Sequence, residues 1–227
     1  MKSVIKWECN FTYLNGNTQF VLGLKGIKNI IFDLGGVIIN LSVEKTHQAF
    51  ASLSGMPVEE IKSIVHQGAY FHDYERGLIS DAEFRTHLRQ SLGLQVPDAQ
   101  LDAAWNAMLL NIPMERIDLL VRLKERFSIY LLSNTNNIHL QCFNGIVKNL
   151  TGHSTIDNYF HKAYYSHLLK LSKPDVAIYN HVLLQNGLVP ESTIFLDDNK
   201  DNLTGANKAG IKTFHVQHPD QIFSLFL

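Results

Sequence analysis

Five short runs, KNIIFDLGG, SIYLLS, AYYS, STIFLDD and IKTFHV, recur from Ile27 onward with stretches of helical periodicity between them. The first is apolar and β-branched and stops at an acid and two glycines, as a buried parallel strand would stop. Helical segments follow: MERIDLLVRLKERF, opened by Pro113, then DVAIYNHVLLQNG and a segment near 202–209. Strands alternating with helices specify an α/β fold with a doubly wound parallel sheet.

The stretch between the first strand and Pro113 breaks that alternation. Segments near 43–54, 57–69, 80–92 and 98–110 carry apolar residues at three- and four-residue spacing, and Gly55, Pro57, Gly77, Gly93 and Pro97 punctuate them. Ser80-Asp81-Ala82-Glu83 has the pattern of a capping box. Four helices inserted after one strand imply a separate helical cap, residues 41–113, set into a Rossmann-like core of 27–40 and 114–227. Residues 1–26 read differently. Ile5, Trp7, Cys9, Phe11 and Tyr13 alternate with mostly polar neighbours, Asn15-Gly16 suits a tight turn, and TQFVLGL returns. An N-terminal β-hairpin is expected there.

Charge and composition narrow the function. A net charge of −1 gives no global field for nucleic acid or an acidic membrane surface. An anionic ligand must therefore be held by local groups and a metal. No apolar run approaches the length of a membrane span, and MKSVIKWECNF lacks the apolar stretch of a secretory signal. The two cysteines, Cys9 and Cys142, have no metal-like spacing, and the eleven histidines are scattered. A cytoplasmic protein, monomeric or homodimeric, is expected.

In an open parallel sheet, ligands bind beyond the carboxyl ends of the strands. Asp33 closes the first strand as a nucleophile, a metal ligand or both, and Gly35 and Gly36 let the next turn expose its amides and carbonyls. Ser133-Asn134-Thr135 closes the second and suits either a phosphate oxygen or an ordinary helix cap. Ser172-Lys173-Pro174-Asp175, also read as a strand end, offers an ammonium that could neutralise a phosphoryl group. Asp197 and Asp198 close the fourth run, and two adjacent acids there favour a hard cation, Mg²⁺ beside phosphate.

Taken in order, FDLGGV, LLSNT, SKPD and FLDDNKDN resemble the four motifs of the haloacid dehalogenase superfamily, over residues 27–216. HDYERGLISDAEF resembles the substrate-facing cap segment of its epoxide-hydrolase-like and glucose-1-phosphate-phosphatase-like branch. The resemblance implies a Mg²⁺-dependent phosphatase acting on a small phosphorylated metabolite. Asp33 would form an aspartyl-phosphate. Asp33, the Gly35 carbonyl and Asp198 would hold the metal, with Asp197 acting through water. Ser133 and Asn134 would hold phosphate oxygens, Lys173 would stabilise charge, and Asn202 would brace the fourth loop. The resemblance also places Tyr70, Phe71, His72 and Glu75 in a loop over Asp33, where aromatic faces and a carboxylate suit a sugar; packing within the cap is the other reading of Tyr70 and Phe71.

Two positions depart from the superfamily pattern. Most of its phosphatases carry an acid–base aspartate where this chain has Gly35, although the glucose-1-phosphate-phosphatase-like branch shares the glycine. Either a cap residue, His72 first among them, replaces the acid, or the substrate is an anomeric, aryl or acyl phosphate that needs less acid help. Lys170 stands where relatives often have glycine and reads as a solvated surface charge. A 2-haloacid dehalogenase needs no metal, and paired Asp197 and Asp198 favour the metal enzyme. The competing class is a catalytically impaired binding or regulatory protein, with the N-terminal hairpin as its docking strand.

Overall fold

In the computed structural model, residues 24–67 and 69–226 are described; the expected N-terminal hairpin lies outside them. The five apolar runs form strands β1 (Asn29–Phe32), β2 (Ser128–Ser133), β3 (Lys162–Tyr165), β4 (Thr193–Asp197) and β5 (Lys212–His215). They pair in parallel in the order β3-β2-β1-β4-β5. β1 is central. The chain winds outward to β3 on one side, then returns to lay β4 against the other side of β1, so the winding reverses between β1 and β4.

Alternation along the strands builds two cores. Ile30 and Phe32 share one face with Ile129, Leu131, Ile194 and Leu196, while Ile31, Tyr130, Leu132 and Phe195 pack on the opposite face. Fully burying one such side chain contributes roughly 1.5–3 kcal/mol. Ile30, Ile31 and Phe32, all at 0% exposure, therefore anchor the residue that follows them, Asp33.

After β1 come α1 (Val43–Ser54), α2 (Val58–Gln67), α3 (Ala69–Glu75), α4 (Asp81–Leu92) and α5 (Asp98–Asn106). Phe50, Ile61, Phe84, Leu101 and Trp105 form a third apolar cluster shared by these helices. The capping box forms: Glu83 N donates to Ser80 Oγ, and Ser80 N donates to Glu83 Oε2 at 2.7 Å. The chain segments entering and leaving the insert run antiparallel, with Asn40 N donating to Asn111 O and Leu110 N donating to Asn40 O, both at 3.0 Å. Buried Arg116 ties this junction down, donating from Nη1 to Ile38 O and Asn40 Oδ1 and pairing through Nη2 with Asp220.

Two expectations need correction here. Residues 70–75, read as a loop, are α3. A single pair of helical turns between Gly68 and Gly77 carries too little periodicity to register, and it is held by packing: Tyr74 is buried and stacks on Phe84 with centroids 4.0 Å apart. The last insert helix ends at Asn106 and not near 110, because the chain there turns into the ribbon with residues 40–42.

The remaining helices are α6 (Met114–Lys124), α7 (Asn137–Thr151), α8 (Ser166–Leu169), α9 (Val176–Asn186), α10 (Lys200–Lys208) and α11 (Gln221–Phe226). No described helix is long and apolar enough to cross a membrane.

Candidate active site

Where the winding reverses, the carboxyl ends of β1 and β4 bring three acids together. Asp33, Asp197 and Asp198 each offer a carboxylate oxygen, all within 4.8 Å of one another. Lys173 lies between two of them. Its Nζ is 2.8 Å from Asp33 Oδ1 and 2.7 Å from Asp197 Oδ2, and the residue is 4% exposed.

Three carboxylates against one ammonium leave negative charge uncompensated. Burial pushes the Asp33 carboxyl up to about 7, and Asp197 and Asp198 push the same way, while Lys173 opposes them. Burial alone would lower the Lys173 ammonium, but Asp197 and Asp33 outweigh it and hold it above the ordinary lysine value. A hard divalent cation with oxygen ligands relieves this imbalance, so the donor set fits Mg²⁺.

Backbone geometry fixes each acid. Leu34 N donates to Asp33 Oδ1 at 2.7 Å. Asp197, fully buried, accepts from Asn199 N at 2.7 Å and from Asn202 Nδ2 at 3.1 and 3.0 Å, so Asn202 does brace this loop. Gly36 has φ +68°, and a Cβ there would collide with Asp198 Oδ2. The first loop thus approaches the fourth more closely than any side chain would allow.

Ser133 ends β2 and is buried. Asn134, expected beside phosphate, spends its side chain on the backbone of Lys173: Nδ2 donates to Lys173 O and Oδ1 accepts from Lys173 N, each at 2.9 Å. The segment 172–175 was expected at a strand end. It lies instead beyond α8, brought to the site by this amide pair, and Asp175 caps α9 by accepting from Ala177 N at 3.0 Å.

From the insert, α3 places its residues differently. Tyr70 stacks on His87 and donates to Ile64 O at 3.2 Å, and Phe71 meets Trp105 edge-on; both pack against the helical cluster. His72 is exposed, with its ring against Phe71. Glu75 is the member whose carboxyl feels the charge of Lys173. Burial pushes its carboxyl up to about 7, with the Lys173 charge acting in the opposite direction.

Two residues outside the sequence-derived set join the insert to the core. Ser166 Oγ donates to Glu75 O at 2.6 Å, lies 3.0 Å from Thr135 O, and accepts from Thr135 N at 2.9 Å. No motif marks it; its only signal is a hydroxyl at the end of a strand. Lys170 is exposed, as expected of a surface charge; its Nζ also donates to Gly77 O, and its backbone is left-handed, φ +56°. Glycine is favoured in that conformation.

The haloacid dehalogenase-like hydrolase family matches residues 27–210 of the chain. A D-ribitol-5-phosphate phosphatase of Bacteroides thetaiotaomicron is 29% identical over 192 residues, spanning 85% of this chain and 93% of that protein. A haloacid dehalogenase-family enzyme of Bacteroides thetaiotaomicron, crystallised with magnesium and inorganic phosphate, superposes with a TM-score of 0.75 at 38% identity, covering 83% of this chain and 93% of that one. A predicted family hydrolase of Porphyromonas gingivalis superposes with a TM-score of 0.76 at 32% identity, covering 83% and 90%.

Proposed function

The chain belongs to the haloacid dehalogenase-like hydrolases, and from that membership we propose that it is a Mg²⁺-dependent phosphatase for a small sugar or polyol phosphate, acting through an aspartyl-phosphate on Asp33. The observation that carries this reading is the pairing of Asp33 with Lys173 beside Asp197 and Asp198 at the reversal point of the sheet.

Asp33, the Gly35 carbonyl and Asp198 would hold the metal, with Asp197 as the supporting outer acid. When bound, the ion supplies the positive charge that allows a phosphate dianion to approach three carboxylates. An Asp33 carboxylate oxygen attacks phosphorus and the ester P–O bond breaks, leaving phosphate on Asp33. Water then releases it as inorganic phosphate. Lys173, fixed in direction by Asp33 and Asp197, neutralises charge in both steps. Ser133 Oγ and the Asn134 backbone N–H hold phosphate oxygens, while the Asn134 side chain keeps Lys173 in place. Such chemistry depends mainly on positioning and charge neutralisation.

The helical insert acts as the cap, and its contacts through Glu75 and Gly77 restrict the site to small substrates. Support for a polyol or sugar phosphate comes from the relative named for D-ribitol 5-phosphate. That compound is a primary alkyl ester, so primary alkyl phosphates join the anomeric, aryl and acyl phosphates as candidate substrates. A cytoplasmic setting belongs to the same proposal. Phosphate release from ribitol 5-phosphate, sugar 1- and 6-phosphates and p-nitrophenyl phosphate, with Mg²⁺ or EDTA, tests the reading. Turnover that is indifferent to EDTA counts against it.

A further inference from the structure

Position 35 leaves the proposed reaction without an acid. A primary alkoxide leaves slowly unless protonated, and general acid–base catalysis is typically worth about 10²–10⁴-fold. Gly35 has no side chain, and a Cβ there would come within 2.6 Å of Leu41 Cδ1. The acid must reach the site from another element.

We propose that Glu75, at the end of α3, is the acid–base residue of this site, delivered from the helical insert in place of a side chain at position 35. This rests on the phosphatase reading above.

The backbone around Glu75 is fixed to the core on both sides. Its carbonyl accepts from Ser166 Oγ at 2.6 Å, and the same hydroxyl accepts from Thr135 N, two residues beyond Ser133. Two residues along, the Gly77 carbonyl accepts from Lys170 Nζ. Gly77 has φ +62°, and a Cβ there would collide with His167 O, so the 75–77 turn sits directly on α8. The Glu75 carboxyl feels the charge of Lys173, which itself touches Asp33. The charge that acts on the Glu75 carboxyl is that of Lys173, from the loop before α9; His167 of α8 and Lys170 just beyond it meet the turn at the Gly77 backbone. Burial dominates and keeps the proton on Glu75 to about pH 7. A group so poised can give up a proton and take one back near neutrality. His72, exposed and turned to Phe71, lacks that environment.

The proton balance closes. As Asp33 attacks phosphorus and the ester P–O bond breaks, the Glu75 proton passes to the leaving alkoxide and the alcohol departs. Glu75, now a carboxylate, takes a proton from the water that attacks the aspartyl-phosphate. The bond from phosphorus to Asp33 breaks, inorganic phosphate leaves, and both carboxyl groups return to their starting states.

The test compares wild type with Glu75→Gln and Glu75→Asp on ribitol 5-phosphate and p-nitrophenyl phosphate in Mg²⁺, in single-turnover and steady-state runs. Alcohol release from the alkyl ester in Glu75→Gln is expected to fall about 10²–10⁴-fold. Single-turnover phenolate release is expected to fall less than about tenfold, because p-nitrophenolate needs no proton. That release should appear as a burst followed by slow hydrolysis of the phosphoenzyme. Glu75→Asp should recover part of the alkyl activity, and the limb near pH 7 in the wild-type alkyl profile should vanish in Glu75→Gln. Equal single-turnover losses in alcohol and phenolate release, or a raised KM with unchanged kcat, would show that Glu75 only binds substrate and would overturn the inference alone. A folded wild type that cleaves no ester would overturn the phosphatase reading, and the inference with it.

Discussion

Asn134 and Lys173 hold each other by a reciprocal amide pair, Nδ2 to O and N to Oδ1, each at 2.9 Å. The loop after β2 thereby sets where the ammonium of a distant loop points, across a separation of 39 residues. Without that pair, Lys173 would still be attracted to Asp33 and Asp197, but its backbone would be free to choose another approach.

Asn134→Ala is accordingly expected to lose activity through position and not through charge. Two partly buried hydrogen bonds are worth about 1–3 kcal/mol of stability together. A displacement of the ammonium lowers kcat by about 10–10². Asn134→Asp keeps the acceptor for Lys173 N but removes the donor to Lys173 O, so it should also be impaired. Steady-state kinetics with thermal unfolding of the same samples checks both effects; wild-type kcat in Asn134→Ala would remove the positioning role.

Metal binding should show in stability before it shows in turnover. The Asp33 carboxyl sits at about 7 when folded, against an ordinary value of 3.8. A raised folded value means that metal-free stability is fully present below about pH 4 and declines as pH rises through 7. Mg²⁺ competes with those protons, so its stabilisation should grow between pH 6 and 8. At 100 times its Kd it adds about 2.7 kcal/mol. Asp198→Asn should abolish most of that increment. Unfolding curves with and without Mg²⁺ at the two pH values measure it.

Glu75 gives the opposite signature to a salt-bridged acid. Its carboxyl is raised from 4.5 to about 7 by burial, so the folded state loses stability between those values as the group ionises. Glu75→Gln should match wild type below pH 4.5 and exceed it above pH 7, by at most about 3 kcal/mol. The difference between the two melting profiles isolates this group, since Asp33 is common to both. A variant less stable than wild type at pH 8 would mean that the carboxylate has a favourable partner when ionised.

Gly36→Ala meets two obstacles, a left-handed backbone and the Asp198 carboxylate. The backbone costs about 1–2 kcal/mol, and the collision moves Asp198 away from Asp33. Mg²⁺ affinity should fall at least about tenfold, which is a 1.4 kcal/mol effect, as titration calorimetry would read directly.

The sheet was legible because each strand is an apolar run that the helical pattern could not absorb, and the acids at 33, 197 and 198 stand where such runs stop. What stayed hidden depends on contacts between distant segments. Seven residues of α3 carry too few turns to show a period, yet Tyr74 and Phe84 hold them helical. Lys170 is exposed, as the sequence suggests, but its contact with Gly77 O spans 93 residues. Segment 172–175 reached the site through an amide pair and not through a strand. Ser166 carried no motif, only a hydroxyl at the end of a strand. Cap residues were placed by resemblance as one group, whereas the structure separates them: Tyr70 and Phe71 serve the helical cluster, and the Glu75 carboxyl feels the Lys173 charge.

The central claim is that phosphate passes through Asp33. Its most direct measurement is an acid-quenched single turnover with a cleaved phosphate ester and Mg²⁺, followed by peptide mass spectrometry. The account predicts a phosphoryl adduct on the peptide bearing Asp33, accumulating in Glu75→Gln and absent from Asp33→Asn, which should be inactive. Turnover without any adduct, sustained in Asp33→Asn, would contradict it.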